Sequence, residues 1–466
     1  MFARRVALAL IVLLALSLSG CGFLRGAFGE RVQDTPAPTA IPLSTREAVP
    51  GETPDATPTL REAMTPTAAP LPDLTPTAPP PAGTPTRAWT PTATAAEPTR
   101  ASTRVVAPAE AIHLPPGFGI SIFAEGLAGP RMLAVGPDNE LYVANRGAGS
   151  VVRLPDDDRD GVANALEVVA DGLSAPSSIA FLMDSTSPYD GALYVGETRR
   201  VLRLTEPDAS GVFQERAVVV DGLPSGGHNT RTLLFSPDYR FLYVSVGSSC
   251  NVCIEEDPRR AGIVRYRPDG SEEMVFATGL RNAVGITFRP GTDELWATNN
   301  GRDWLGDDQP PETVHLVREG DDAGWPRCHA GRIVDPEYGE PEGCQGVAPP
   351  AVEMQAHSAP LGLTFYSGDQ FPADYQGDLY VAFHGSWNRS DPTGYKVVRI
   401  EFGRGSSAED GQPGVVHDFA AGWLREDGSR WGRPVDVIVG PDASLYVSDD
   451  EGGVIYRIFY HGADGG

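Results

Sequence analysis

Between Leu133 and Ile458 the apolar and polar positions repeat one phrase six times. Each copy is a short apolar run, a polar turn, an aromatic-bearing strand, a second turn and another strand. The copies open LAVGPDNELYVANRG (from Leu133), SIAFLMDSTSPYDGALYVGE (from Ser178) and LLFSPDYRFLYVSVG (from Leu233). They continue as VGITFRPGTDELWATNNG (from Val284), LGLTFYSGDQFPADYQGDLYVAFHG (from Leu361) and VDVIVGPDASLYVSDDEGG (from Val435). One such unit cannot bury both faces of its sheet, so copies stack around an axis and share a core. The pattern predicts an all-β chain, a six-bladed β-propeller of four-stranded antiparallel sheets over residues 109–466. Loops from every blade converge on such an axis, so chemistry is expected there.

The first twenty residues break the pattern. Arg4 and Arg5 precede an apolar run, Val6 to Leu18, that is too short to span a bilayer comfortably. It closes on Leu18-Ser19-Gly20-Cys21, which resembles a bacterial lipoprotein signal over residues 1–20, with Cys21 as the lipidated mature N-terminus. Ordinary secretory cleavage nearby is the alternative, and either route exports the protein. Residues 21–108 are rich in Pro, Thr and Ala with few large apolar side chains, as expected of a disordered, extended tether. The expected location is therefore outside the cytoplasm, membrane-anchored through Cys21. A formal net charge of -25 disfavours nucleic acid as a partner. Four further cysteines suit an oxidising compartment, and proximity favours the pairs Cys250–Cys253 and Cys328–Cys344 among the three pairings possible.

A separate motif points to calcium. Asp156, Asp158 and Asp160, then Gly161, the carbonyl of Val162 and finally Glu167, fit the twelve-residue spacing of an EF-hand loop. Strand-like flanks replace the usual helices, so a structural ion at a blade connection is expected.

Three segments share one place in the repeat, immediately before a blade's innermost strand. They are Gly226-Gly227-His228-Asn229, Gly279-Leu280-Arg281-Asn282 and Trp431-Gly432-Arg433-Pro434. Their side chains should meet at one end of the channel. An imidazole there suits general-base work, and guanidinium groups polarise carbonyls or grip carboxylates.

On these residues, together with VGSSCNVCIEEDPRR (from Val246), QAHSAPLGLTFY (from Gln355) and FHGSWNRSDPTGYKVVRI (from Phe383), the chain resembles the glucose/sorbosone dehydrogenases that use pyrroloquinoline quinone (PQQ). The resemblance is nearest to the sorbosone and pyranose branch. It implies PQQ- and calcium-dependent oxidation of an aldose or related sugar. It makes His228 the base and Arg281 the group that polarises the accepting carbonyl. Asn282, Arg433 and Lys396 are implied cofactor contacts, with Trp387 and Asn388 walling the pocket beside them. Gly301 and Arg302, with Asp307 or Asp308 behind, match the segment that holds the cofactor's calcium partly through backbone carbonyls. From their own positions, His357 and His384 either sit near the channel mouth and bind sugar or terminate strands. Val435 stands where glucose-oxidising members carry a second arginine, and Asn299-Asn300 replaces a more polar pair. No Cys-x-x-Cys-His haem motif is present, since Ile254 follows Cys253, so the electron acceptor should be an external partner. A calcium-dependent lactonase and a non-catalytic binding propeller are the competing readings.

Overall fold

The computed structural model describes residues 111–402 and 414–462. The expected signal peptide, Cys21 and the linker 21–108 lie outside them. Six four-stranded antiparallel sheets are present, as the repeats predict. The inner strands are Pro130–Val135, Ser178–Phe181, Leu233–Phe235, Ile286–Phe288, Pro360–Phe365 and Pro434–Val439 for blades one to six. Each touches its two neighbours, so the six form a closed ring.

The aromatic at the start of each second strand explains why the repeat is legible. Second strands such as Leu141–Asn145, Leu242–Val246 and Leu379–Phe383 are buried at every residue, because both of their faces meet apolar side chains. Their aromatic side chains tie one blade to the next, edge to face. Tyr142 meets Phe181 at 4.8 Å, Tyr194 meets Phe235 at 4.9 Å, Tyr243 meets Phe288 at 5.6 Å, and Trp296 meets Phe365 at 5.5 Å between ring centroids. Edge-on geometry sets the positive ring edge against the negative face of its partner and adds roughly 0.5–1.5 kcal/mol per pair beyond burial.

Ring closure has no counterpart in the repeat. The sixth blade receives only three strands from the end of the chain. Its outer strand is Phe118–Glu125, paired with Val454–Tyr460 in the register Phe118↔Tyr460 to Glu125↔Val454. On the axis, Met132, Val284, Leu361 and Val435 form a buried apolar plug. Val435 thus belongs to the floor between two cavities, where an arginine would leave its charge without water. Below the plug a smaller cavity of about 280 Å³ takes in Asp436, whose burial raises its carboxyl to about 7.

Both disulfides form as proximity favours, Cys250–Cys253 and Cys328–Cys344. The second closes an insertion in blade four that carries a small hairpin, Cys328–His329 with Ile333–Val334. Among the described residues, no helix is long and apolar enough to cross a membrane.

Candidate active site

Above the plug, the segments leading into the inner strands and the turns after the second strands surround a well of about 730 Å³. Gly226 and Gly227 both adopt left-handed backbone, φ 92° and 61°. A Cβ on Gly227 would sit 2.3 Å from the Ser249 carbonyl oxygen, so only glycine lets this turn pass beneath the neighbouring loop. The turn delivers His228 to the wall. The His228 Nδ1 lies 2.9 Å from Ser248 Oγ and 3.2 Å from the Ser248 carbonyl. The serine hydroxyl already donates to the Cys250 carbonyl at 2.7 Å, so Nδ1 carries the proton and Nε2 keeps its lone pair. Burial, then the nearby Arg281 charge, lowers the imidazole pKa to about 4. The ring is therefore a neutral base at physiological pH.

Arg281 is buried beside it. Its Nη2 donates to Asp303 Oδ2 at 2.9 Å, while Asn251 accepts from Nε at 2.9 Å and from Nη2 at 3.0 Å. Asn282 accepts from Thr230 Oγ1 at 2.7 Å. A further wall gathers cations around one carboxylate. Asp450 accepts from Arg131 and from Arg433 at 2.9 Å each, and His384 Nε2 approaches it at 3.2 Å. Although burial opposes it, this company holds Asp450 well below the usual carboxylate range. Arg131 Nε remains buried with no partner.

Gly301 lines the well beside a carboxyl inside the blade. Glu312 accepts from the Gly301 amide at 2.7 Å and the Ala359 amide at 3.2 Å, yet burial still raises it to about 7. Asn388 donates to Asp303 Oδ1 at 2.9 Å, and Trp387 lines the well while meeting Trp304 edge-on at 5.2 Å.

The structure thus brings His228, Arg281, Asn282, Gly301, Trp387, Asn388 and Arg433 around one well. Three expected residues have their side chains elsewhere. Lys396 is corrected: its ammonium pairs with Asp418 at 2.6 Å across the outer hairpin of blade five, and Arg131 is the added cation at the well. Arg302 is drawn into a buried cluster with Asp335 and His329. Asp307 lies outside the lining, accepting from the Ser390 amide at 3.1 Å. His357 and His384 do reach the well.

Arg131 and Asp450 were readable from their places in the repeat, at the start of an inner strand and just after a second strand. Glu312 reads as a core strand residue, and Asp303 as one polar loop residue among many; only the folded chain distinguishes them. In the loop after blade one's third strand, carboxylate oxygens of Asp156, Asp158 and Asp160 lie within 4.8 Å of one another. The Val162 amide donates to Asp160 at 2.8 Å, and Glu167 pairs with Arg153 at 2.7 Å rather than joining the group.

The fold and site together define a six-bladed propeller whose axial well sets a neutral imidazole among arginines. The chain belongs to the TrAA12-like family, whose model matches residues 112–315 and 335–461. It is similar to a pyrroloquinoline quinone-dependent pyranose dehydrogenase of Coprinopsis cinerea, 24% identical over 405 residues, which is 73% of this chain and 54% of that protein. The chain thus spans about half the length of that relative. The holo PQQ domain of a pyranose dehydrogenase from Coprinopsis cinerea superposes with a TM-score of 0.64 at 23% identity, covering 75% of this chain and 97% of that one. An aldose sugar dehydrogenase of Escherichia coli is 24% identical over 371 residues, 72% of this chain and 91% of its own.

Proposed function

We propose that the chain is a PQQ- and calcium-dependent dehydrogenase that oxidises a hydroxyl of an aldose or pyranose and passes the electrons to an external acceptor. The observation that carries this is the shared well of neutral His228, Arg281 and the Arg131–Arg433 wall. The residues fit a flat polyanion. Arg131 and Arg433 offer guanidinium donors to carboxylates. Arg281 and Asn282 would grip the quinone edge. Gly301, Glu312 and Asp303 offer hard oxygen ligands to calcium. When bound, PQQ supplies a carbonyl carbon that accepts hydride.

The protein's own part is positional and acid–base. His228 Nε2 takes the sugar hydroxyl proton, because Ser248 holds the ring in the tautomer that leaves it bare. The Arg281 guanidinium would hold a fixed positive charge against the bound quinone. Trp387 and Asn388 flank one side of the well. We further infer export and a lipid anchor at Cys21 from the N-terminal residues, and a structural calcium at Asp156–Glu167.

The test is dye reduction by the purified chain with PQQ, calcium and a panel of aldoses. Oxidation is expected, falling at least about 100-fold in His228→Ala. Because Glu312 and Asp303 also face the well, lactone hydrolysis without PQQ is assayed in parallel; that activity alone would replace this reading with a lactonase.

A further inference from the structure

The disulfide loop that follows blade three's second strand reaches both halves of the catalytic constellation, and neither the repeat nor the family relationship assigns it a task. Asn251 lies between the two cysteines. Its carbonyl accepts from Arg281 Nε at 2.9 Å and from Trp325 Nε1 at 3.2 Å. Its side-chain oxygen accepts from Arg281 Nη2 at 3.0 Å and from the Asp303 amide at 2.7 Å, and its Nδ2 donates to the Asp303 carbonyl at 3.2 Å. Arg281 and Asp303 are in turn joined at 2.9 Å, so three residues from separate loops close a hydrogen-bonded ring. One residue earlier, the Cys250 carbonyl accepts the hydrogen bond of the Ser248 hydroxyl and thereby fixes the His228 tautomer. Asn251 does not line the well.

The geometry points to Asn251, held in place by the Cys250–Cys253 disulfide, as a positioning residue that aims Arg281 and Asp303 into the well. The inference rests on the dehydrogenase reading above. Its physical ground is that a long guanidinium side chain has many rotamers, and a fixed two-point acceptor selects one of them. A bare loop of this length would not hold both acceptors still. The disulfide confines the residue that carries them, while Glu255 anchors the loop from outside by accepting from the Ser249 amide at 2.6 Å. Misaiming a group by about 1 Å costs on the order of 100-fold in rate.

The test compares the full chain with Asn251→Ala, Asn251→Asp and the double variant Cys250→Ser/Cys253→Ser. With PQQ occupancy measured by absorbance, Asn251→Ala is expected to lower kcat per bound PQQ by roughly 10- to 100-fold. The sugar KM should be little changed, since Arg281 acts on the accepting carbonyl. Asn251→Asp keeps both acceptors but loses the Nδ2 donor to the Asp303 carbonyl and adds a charge beside the Asp303 carboxylate, so it should recover the rate only in part. The second readout needs no quinone: the His228 ring is titrated by NMR. Arg281 and Arg260 are the charged groups that lower it. Asn251→Ala removes one acceptor and leaves the backbone carbonyl and Asp303 to hold the guanidinium, so the imidazole pKa should rise only modestly while Arg260 stays in place; the cysteine double variant, which frees the loop carrying both acceptors, should move it the same way. Parent-like kcat, or an unmoved His228 titration in both Asn251→Ala and the double variant, would overturn the assignment. Should Asn251→Ala not fold, the double variant carries both readouts. Absence of sugar oxidation by the parent sinks the dehydrogenase reading but leaves the titration to judge the ring.

Discussion

At the scale of single residues the site depends on keeping one imidazole uncharged among arginines. A histidine of ordinary pKa would be substantially protonated at mildly acidic pH and useless as a base there. His228 is instead lowered to about 4 by burial and by Arg281, so its lone pair persists well into acid. The acid limb of kcat/KM in the parent is therefore expected nearer pH 4 than 6.5, and Arg281→Gln, which removes a lowering charge, should shift that limb upward. A pH–rate series on the two proteins checks this; an unmoved limb would mean that another group sets it. The same shift carries a stability sign. The folded pKa lies below the unfolded one, so the unfolded chain binds more protons between about pH 6.5 and 4. His228's contribution is thus present above that window and is lost as pH falls through it. Ser248 shapes the outcome too, by choosing which nitrogen stays bare. Nothing in the sequence marks it out from the other serines of its loop.

At the scale of elements, what the repeat made legible is what the repeat's physics requires. The second-strand aromatic recurs because each blade must grip the next, and Tyr142, Tyr194, Tyr243 and Trp296 do so through a phenylalanine on the following inner strand. Ring closure was not legible, because a closing strand has no preceding blade to repeat. Phe118–Glu125 lies far from its partner strand in sequence and reads only as an alternating segment. Yet it carries a dense aromatic contact set. Phe118 meets Phe371 at 4.7 Å, Tyr460 at 5.0 Å and Phe419 at 5.1 Å, so it joins blades five and six at the seam. Phe118→Ala leaves a cavity where a ring closes on itself, and a cost of about 3–5 kcal/mol is expected. Chemical denaturation measures it. A loss under about 1 kcal/mol would show that the seam relaxes around the missing ring.

At the scale of the whole molecule, carboxylates gather in two separate regions, and the sequence conveyed one of them far better than the other. The aspartates of the Asp156–Glu167 loop were legible because they are local and their spacing is itself the signal, and the fold does bring Asp156, Asp158 and Asp160 together while Glu167 turns to Arg153. The carboxyls at the well were not, because Asp303 and Glu312 meet only through blade four's fold, one on a loop and one inside a strand. Lys396 misled for the converse reason: a cation close to an expected motif was claimed by Asp418 across a hairpin that only the folded sheet creates. The two regions should respond differently to one ion. In the loop, three aspartates crowd together, and the Asp156 carboxyl is raised first by burial and then by its neighbours' charges, so repulsion there is relieved by a divalent cation. Binding the folded state alone raises stability by about 2.7 kcal/mol at a hundredfold excess over Kd. Calcium should thus raise the Tm of the parent without PQQ present. Asp156→Asn/Asp158→Asn should abolish most of that rise while leaving kcat of the PQQ-loaded protein within about twofold, since neither aspartate lines the well. Glu312→Gln should do the opposite, keeping most of the calcium-dependent rise but losing turnover. If instead the double aspartate variant lost turnover and kept its calcium response, the loop would be no structural ion site, and the ion's stabilising effect would lie at the well.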